Sequence, residues 1–314
     1  MQRTTVVVEG AITASIYIIL CLVSLNLPLV GLFVYFLLPI PYIIYSYKYG
    51  LKPGVVFSAV TLALSLIIGG INGLLITVSS GLLGGVMGVL YHKKKSAFAI
   101  LLGGSLASLV NFLWVLSVMK FVLHFNFVKD IQDMLTEVIN KTAELYKYNN
   151  QDVSALNQLR EQVDLIIYQL PTTLIFSAVL LTFFTQWIAK IIMKRLRFHI
   201  HSFPPFYKWN FPRAFLWYYL VAVLLMFTNP EKGSILYNVA VNLYYILATI
   251  MFIQGLTVIY YYMWAKEKPR ALSIFVTIIA FILSAILPIL MEVTKLLGIM
   301  DLGFNVKKRI NPGK

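Results

Sequence analysis

Long apolar runs alternate with short polar breaks along the whole chain. Nine such runs can be drawn, at about residues 9–25, 29–47, 53–69, 72–91, 97–123, 165–194, 212–229, 235–264 and 271–291. A helix needs about 20 apolar residues to cross a hydrocarbon core of about 30 Å. The runs are continuously apolar, whereas barrel strands alternate apolar and polar positions. Helices also satisfy their own backbone groups inside lipid. The pattern therefore predicts an all-α fold, a polytopic bundle of about nine transmembrane helices. Between the fifth and sixth runs, residues 124–164 follow a different period. Val128, Ile131, Leu135, Val138, Thr142 and Leu145 recur every three or four residues, and Val153, Leu156, Leu159 and Val163 do so after the polar turn KYNNQD. This spacing predicts two amphipathic helices in a hairpin. The hairpin is either a lid over a site or an extension of the flanking helices that packs on itself.

Composition agrees with the pattern. The chain is 60% hydrophobic with only 12% charged residues among its 314, more apolar surface than a soluble domain could cover. The net charge of +14 would suit nucleic acid if it were pooled. Instead the cations sit in short blocks between apolar runs, as cytoplasmic loops do, and no nucleic-acid partner is expected. Those blocks are Lys48 with Lys52, His92 to Lys95, the stretch Lys190 to Arg213 with six Lys/Arg and no acid, and Lys266 to Arg270. They share one side if Arg3 and the N-terminus are cytoplasmic. Residues 124–164 carry seven of the twelve acids and fall on the other side. Nine crossings leave the basic tail KKRINPGK outside, and an eight-crossing arrangement returns it to the cytoplasm. The first run follows Arg3 but lacks a small-residue cleavage site, so a retained helix is expected rather than a signal peptide. The one cysteine, Cys21, lies within that run and reads as a packing residue.

The stretch LPLVGLFVYFLLPIPYIIYSYKYGLKPG, Leu27 to Gly54, is punctuated by four prolines and three glycines. Proline inside a helix removes a hydrogen bond and kinks it, and in lipid such breaks face protein or a cavity. The reading is a kinked or broken helix followed by a tight basic turn. In order, AITAS, LPLVG, LLPIP, YKYGLKPG and IIGGINGLL resemble the substrate-binding S components of energy-coupling factor (ECF) transporters over roughly the first 120 residues. The count of six spans extends that likeness to about residue 195. Over its full length the chain looks like the YybS-like group of bacterial membrane proteins, through YKWNFPRAFLW (Tyr207 to Trp217) and LGIMDLGFNVKKR (Leu297 to Arg309). The resemblance implies a plasma-membrane location. It divides the chain into an S-component-like six-helix domain, 1–195, and a second part, 196–314, made of a basic loop, about three more helices and a basic tail. The ECF likeness further implies capture of a vitamin-like solute from outside, with a coupling membrane subunit and ATPases as partners. Small residues on the first helix would form the docking face, here Ala11, Ala14 and Ser15, which allow close helix approach. The outward hairpin and the extra helices depart from the S-component pattern, and no vitamin-specific motif is present.

Candidate chemistry is sparse. Glu9 and Glu292 lie near predicted span ends, and Lys295 and Asp301 fall in the last, C-terminal segment. Ion-coupled transporters keep such groups inside the membrane, and an intramembrane aspartyl protease needs paired carboxylates. The spacing of His199 and His201 suits a metal, but no Cys, Asp or Glu is near to complete a shell, so contact with headgroups is the better reading. No P-loop lysine follows GGING or GLLGGVMG, and no base accompanies a serine or cysteine nucleophile. No catalytic residues, metal or cofactor are expected. Asn72, Asn111 and Trp114 are the ligand-binding candidates. Asn111 and Trp114 share a helical face, and amides beside aromatics orient neutral ligands, although they also join helices. Asn238 and Asn242 read as packing glue. The loop RLRFHIHSFPPFYKWNFPR reads as a collar on anionic lipid or a docking surface for a partner protein. Two functions follow: a solute-binding subunit of an energy-coupled transporter, or a non-catalytic membrane scaffold of the cell envelope.

Overall fold

A computed structural model describes residues 2–148, 156, 159, 163, 165–198 and 200–310. Among them every regular element is helical. Five helical segments long and apolar enough to cross a membrane are Thr4–Asn26, Pro28–Tyr49, Leu51–His92, Ala97–Phe121 and Leu170–Arg195, and a sixth is Ile235–Ala265. The chain divides into two compact units, Met1–Val153 with Thr173–Phe203, and Ser154–Thr172 with Pro204–Lys314.

In the first unit, α1 (Gln2–Asn26) is followed by α2 (Pro28–Tyr35) and α3 (Pro39–Tyr49). The prolines of the punctuated stretch thus start helices. Pro28 and Pro39 stand at the beginning of α2 and α3, where a missing N–H has no intrahelical partner to lose. The short turn Phe36 to Leu38 separates the two helices. Gly50, at φ 77°, ends α3 and opens α4 (Leu51–His92). At 42 residues, α4 is about twice the length a single crossing needs. Gly70 (φ 56°, ψ −141°) breaks it into two halves. The halves lie antiparallel, since Gly81 faces Ser58 and Gly73 sits against the Ser65 carbonyl. One helical hairpin therefore supplies two crossings.

Short α3 is the centre of this unit, with Ile40, Tyr42, Ile43 and Tyr45 buried. Glycines let α4 close on it: a Cβ at Gly88 would lie 2.7 Å from the Ser46 Cβ. Buried tyrosine hydroxyls then pair with threonines. Tyr42 Oη lies 2.7 Å from Thr61 Oγ1, and Tyr17 Oη 2.7 Å from Thr77 Oγ1. In lipid, where apolar burial distinguishes poorly between helix faces, such hydrogen bonds and close contacts hold helices in register. Cys21 is buried in the same cluster. Helices α5 (Ala97–Phe121) and α7 (Leu170–Arg195) close the unit through Ser108 and Thr182, and through Gln186, whose Nε2 donates to the Ala97 carbonyl at 3.0 Å. The basic groups gather at one end: Lys48 pairs with Glu9 at 2.6 Å, a His92 ring nitrogen contacts the Tyr47 carbonyl at 2.7 Å, and Phe198 packs on Tyr47. The first hairpin limb is α6 (Phe127–Tyr148), which leaves Met134 and Val138 exposed. Val153 and residues 149–152 of the expected turn lie outside the described residues.

The second unit contains α8 (Ala214–Phe227), α9 (Ile235–Ala265), α10 (Arg270–Ile286), α11 (Pro288–Phe304) and α12 (Val306–Ile310). Its core joins Tyr219, Ala222, Leu247, Met251 and Leu302. Asn242 acts as glue: its Oδ1 accepts from Thr172 Oγ1 at 2.7 Å and its Nδ2 donates to the Tyr168 carbonyl at 2.8 Å. The apolar run 271–291 is interrupted at Leu287, whose extended backbone (φ −111°, ψ 104°) precedes Pro288 at the start of α11. Beyond this break the chain folds back, and Ser284 Oγ meets Thr294 Oγ1 at 3.3 Å. The tail consequently lies with the basic loop: Lys307 reaches the Trp209 carbonyl. Within this unit Lys307 is therefore at the same end as the loop.

Gly70 occupies a backbone region that other residues enter only under strain, costing about 1–3 kcal/mol. Gly70→Val is expected to lower the detergent thermal midpoint of the full-length protein, whereas Gly85→Ala, where a Cβ would meet open space, leaves it nearly unchanged. Equal midpoints for the two variants would show that the reversal at Gly70 carries no strain.

Candidate functional site

A candidate site lies in the second unit, where residues 207–210 and 301–308 meet beneath the C-terminal half of α9. It depends first on backbone contact. Gly255 of α9 lies against the Thr294 carbonyl and Gly298 of α11 against the Met251 carbonyl, so neither position has room for a Cβ. This crossing brings Asp301, one turn beyond Gly298, to Gln254, one residue before Gly255.

Gln254 is fully buried and holds the site together. Its Oε1 accepts from the Phe211 backbone N–H at 3.1 Å. Its Nε2 donates to Asn210 Oδ1 at 2.9 Å and to Asp301 Oδ2 at 2.6 Å. The other carboxylate oxygen, Asp301 Oδ1, accepts from the Lys307 backbone N–H at 2.9 Å. That bond is possible because Asn305 ends α11 in a left-handed conformation (φ 54°, ψ 53°) and turns the chain back. The Lys307 ammonium enters the same network. It donates to Thr257 Oγ1 at 2.6 Å and to the Trp209 carbonyl at 2.7 Å, and lies 3.5 Å from Asp301 Oδ2. Burial holds Lys307 below the ordinary lysine range, and the Asp301 carboxylate pulls it part of the way back.

Above this network is a cleft of about 580 Å³. Tyr207, Trp209, Tyr261 and Trp264 form its aromatic walls, and Lys208, Asn305 and Lys308 line it alongside Asp301 and Lys307. The Tyr207 ring stacks on Trp264 at 4.5 Å and 10°, which ties the loop to the end of α9. The volume falls within the range of small-molecule sites. Asp301 is the one carboxylate lining the cleft among the described residues.

A profile of predicted membrane proteins (DUF2232) matches residues 15–302. The chain belongs to the DUF2232 family. It is 31% identical over 317 residues to the Uncharacterized protein YybS of Bacillus subtilis (strain 168), covering 99% of this chain and 100% of that relative. No solved structure matches it. The DUF2232 match takes in Asn210, Gln254 and Asp301 and stops before Lys307 and Lys308, which the alignment with the Bacillus protein spans.

The site residues expected from sequence fall elsewhere in this DUF2232 protein. Asn72 is exposed beside the reversal at Gly70. Asn111 is buried and accepts a hydrogen bond from Ser79 Oγ at 3.1 Å, joining α5 to the second half of α4, while Trp114 is half-buried. A groove of about 300 Å³ in their unit is lined by Ser58, Leu62, Val78 and Leu82 instead. On α1, Ala11 and Ser15 are exposed, whereas Ala14 is packed into the core. His201 is exposed, and His199 lies outside the described residues. Among the described residues no three His, Cys, Asp or Glu side chains gather as a metal site would require. Gln254 was missed: it is one amide within the apolar run 235–264, and only the company of YKWN and DLGFNVKK, both already singled out, pointed toward it.

Gln254→Leu removes three hydrogen bonds and leaves Asp301 Oδ2 and the Phe211 N–H short of partners. Stranding buried polar groups costs about 1–3 kcal/mol each. The variant is expected to unfold at a clearly lower temperature and to show increased proteolysis after Lys307 and Lys308. An unchanged protease pattern would mean the tail is held independently of Gln254.

Proposed function

We propose that this protein is a small-solute-binding subunit of the bacterial plasma membrane, with its N-terminus in the cytoplasm. It binds without catalysing, and depends on a separate coupling membrane subunit and ATPases to move what it binds. The observation that carries the binding reading is the meeting of the two stretches 207–210 and 301–308 at one aromatic and cationic cleft. The cleft's carboxylate is committed on both oxygens to Gln254 and the Lys307 N–H. Asp301 is buried and bonded into the network beneath the cleft, where it holds the walls in place.

The transport part of the reading draws on the first unit. Its long helices, with α4 counted twice, make six passages, and Ala11 and Ser15 leave a small, exposed strip on α1. Such a strip permits a partner helix to approach closely. For the solute site this proposal prefers the cleft over Asn111 and Trp114, because Asn111 is engaged with Ser79.

The test is co-purification of the tagged full-length chain in mild detergent, followed by mass spectrometry of bound proteins and small molecules. Recovery of an ATPase pair with a membrane coupling subunit is expected, and Ala11→Trp should abolish that recovery without lowering the yield of folded protein. Recovery of cell-envelope proteins alone, with no small molecule, would replace this reading with that of a membrane scaffold.

A further inference from the structure

We propose that the cleft binds a phosphate-bearing ligand through the ammonium groups of Lys208 and Lys308. The inference rests on the reading of the cleft as a solute site and names the chemistry of that solute.

The cleft is positive by construction. Lys208 and Lys308 both line it and both are exposed. Neither forms an ion pair with an acid among the described residues. Lys307 contributes a third positive charge from beneath, although its ammonium is already held by Thr257 and the Trp209 carbonyl. The opposing charge is Asp301 alone, turned inward onto Gln254 and the Lys307 backbone. Its negative charge offsets that of Lys307 at close range. The two outer lysines are then left uncompensated. Aromatic walls lower the local dielectric and strengthen the field of those lysines on whatever enters.

The donor set suits a phosphate group. Lysine binds phosphate as a point charge on a flexible stem. No arginine lines the cleft. Two lysines arriving on separate stretches of chain can approach different oxygens of one tetrahedral group. Asn210 adds a neutral donor: its Oδ1 is occupied by Gln254, which leaves Nδ2 to donate elsewhere. Asn305 lines the same cleft. The phosphate has two possible sources, a soluble phosphate ester or the headgroup of an anionic phospholipid. Tryptophan and tyrosine concentrate at membrane interfaces, a depth both sources reach.

The experiment follows thermal unfolding of the full-length protein in an uncharged detergent. Adenosine monophosphate is titrated against adenosine, and phosphatidylglycerol against phosphatidylcholine. The expected result is saturable stabilisation by a phosphate carrier beyond its control, weakened by added salt. Stabilisation by adenosine monophosphate alone identifies a soluble ester, and by phosphatidylglycerol alone a headgroup. In Lys208→Gln/Lys308→Gln the apparent affinity should fall at least about tenfold, the loss expected from removing charge-assisted hydrogen bonds. Each single variant should show part of that loss, which keeps the test available should the double variant fold poorly. Absence of stabilisation by either carrier, or an undiminished response in the variants, overturns the inference. A small molecule without phosphorus retained on purification, with neither carrier stabilising, would overturn the phosphate assignment and leave solute binding intact. No retained molecule and no stabilisation would overturn both.

Discussion

Everything at the cleft depends on two backbones touching. Gly255 and Gly298 let α9 and α11 approach until carbonyls occupy the space where side chains would be. In lipid there is little apolar driving force to bring helices together, so close contact and polar bonding decide which surfaces meet. The crossing sets the separation of Gln254 and Asp301, and with it the geometry of every bond described around them. A methyl group at either glycine would push the helices apart by more than a hydrogen bond can stretch.

The network built on that crossing is an ion pair embedded in amides. Burying Asp301 and Lys307 is costly, and their attraction compensates only when the remaining lone pairs and protons are also satisfied. Here Asp301 accepts on both oxygens, and the Lys307 ammonium finds two neutral acceptors besides the carboxylate. The pair fixes the chain after α11 to the loop before α8. A second charged pair, Lys295 with Glu292 at 2.6 Å, lies on the same helix, where the Lys295 side chain is almost fully buried near the Tyr244 ring. Thus α11, with Lys307 on α12, carries the unit's buried charges, while α8 and α9 supply their apolar and amide surroundings.

Hydropathy is a local property, and the parts of the structure that follow from local properties were readable. The helical class, the membrane setting and the positions of α1, α5, α7 and α9 follow from run length alone. The prolines at 28 and 39 mark breaks, and their role as helix starts is visible once the N-terminal preference of proline is applied. The C-terminal segment was harder. Leu287 and Pro288 sit inside an unbroken apolar run, and Glu292, Lys295 and Asp301 look like residues leaving the membrane until their partners are known. Those partners are distant: Gln254 lies 47 residues from Asp301 and 44 from Asn210. No window along the chain contains both ends of such a bond. Asn111 illustrates the reverse difficulty, since a buried amide looks the same in sequence whether it awaits a ligand or holds a neighbouring helix.

The reversal within α4 also bears on how the protein enters its membrane. The two halves meet at Gly70 with no connecting loop, so nothing at that end offers a handle to translocate separately. The opposite end carries Lys52 at one terminus and His92 with the following lysines at the other. To invert this hairpin would mean drawing both charged termini through the bilayer together. Insertion of the hairpin is therefore less costly with its charged ends left behind than with them carried across.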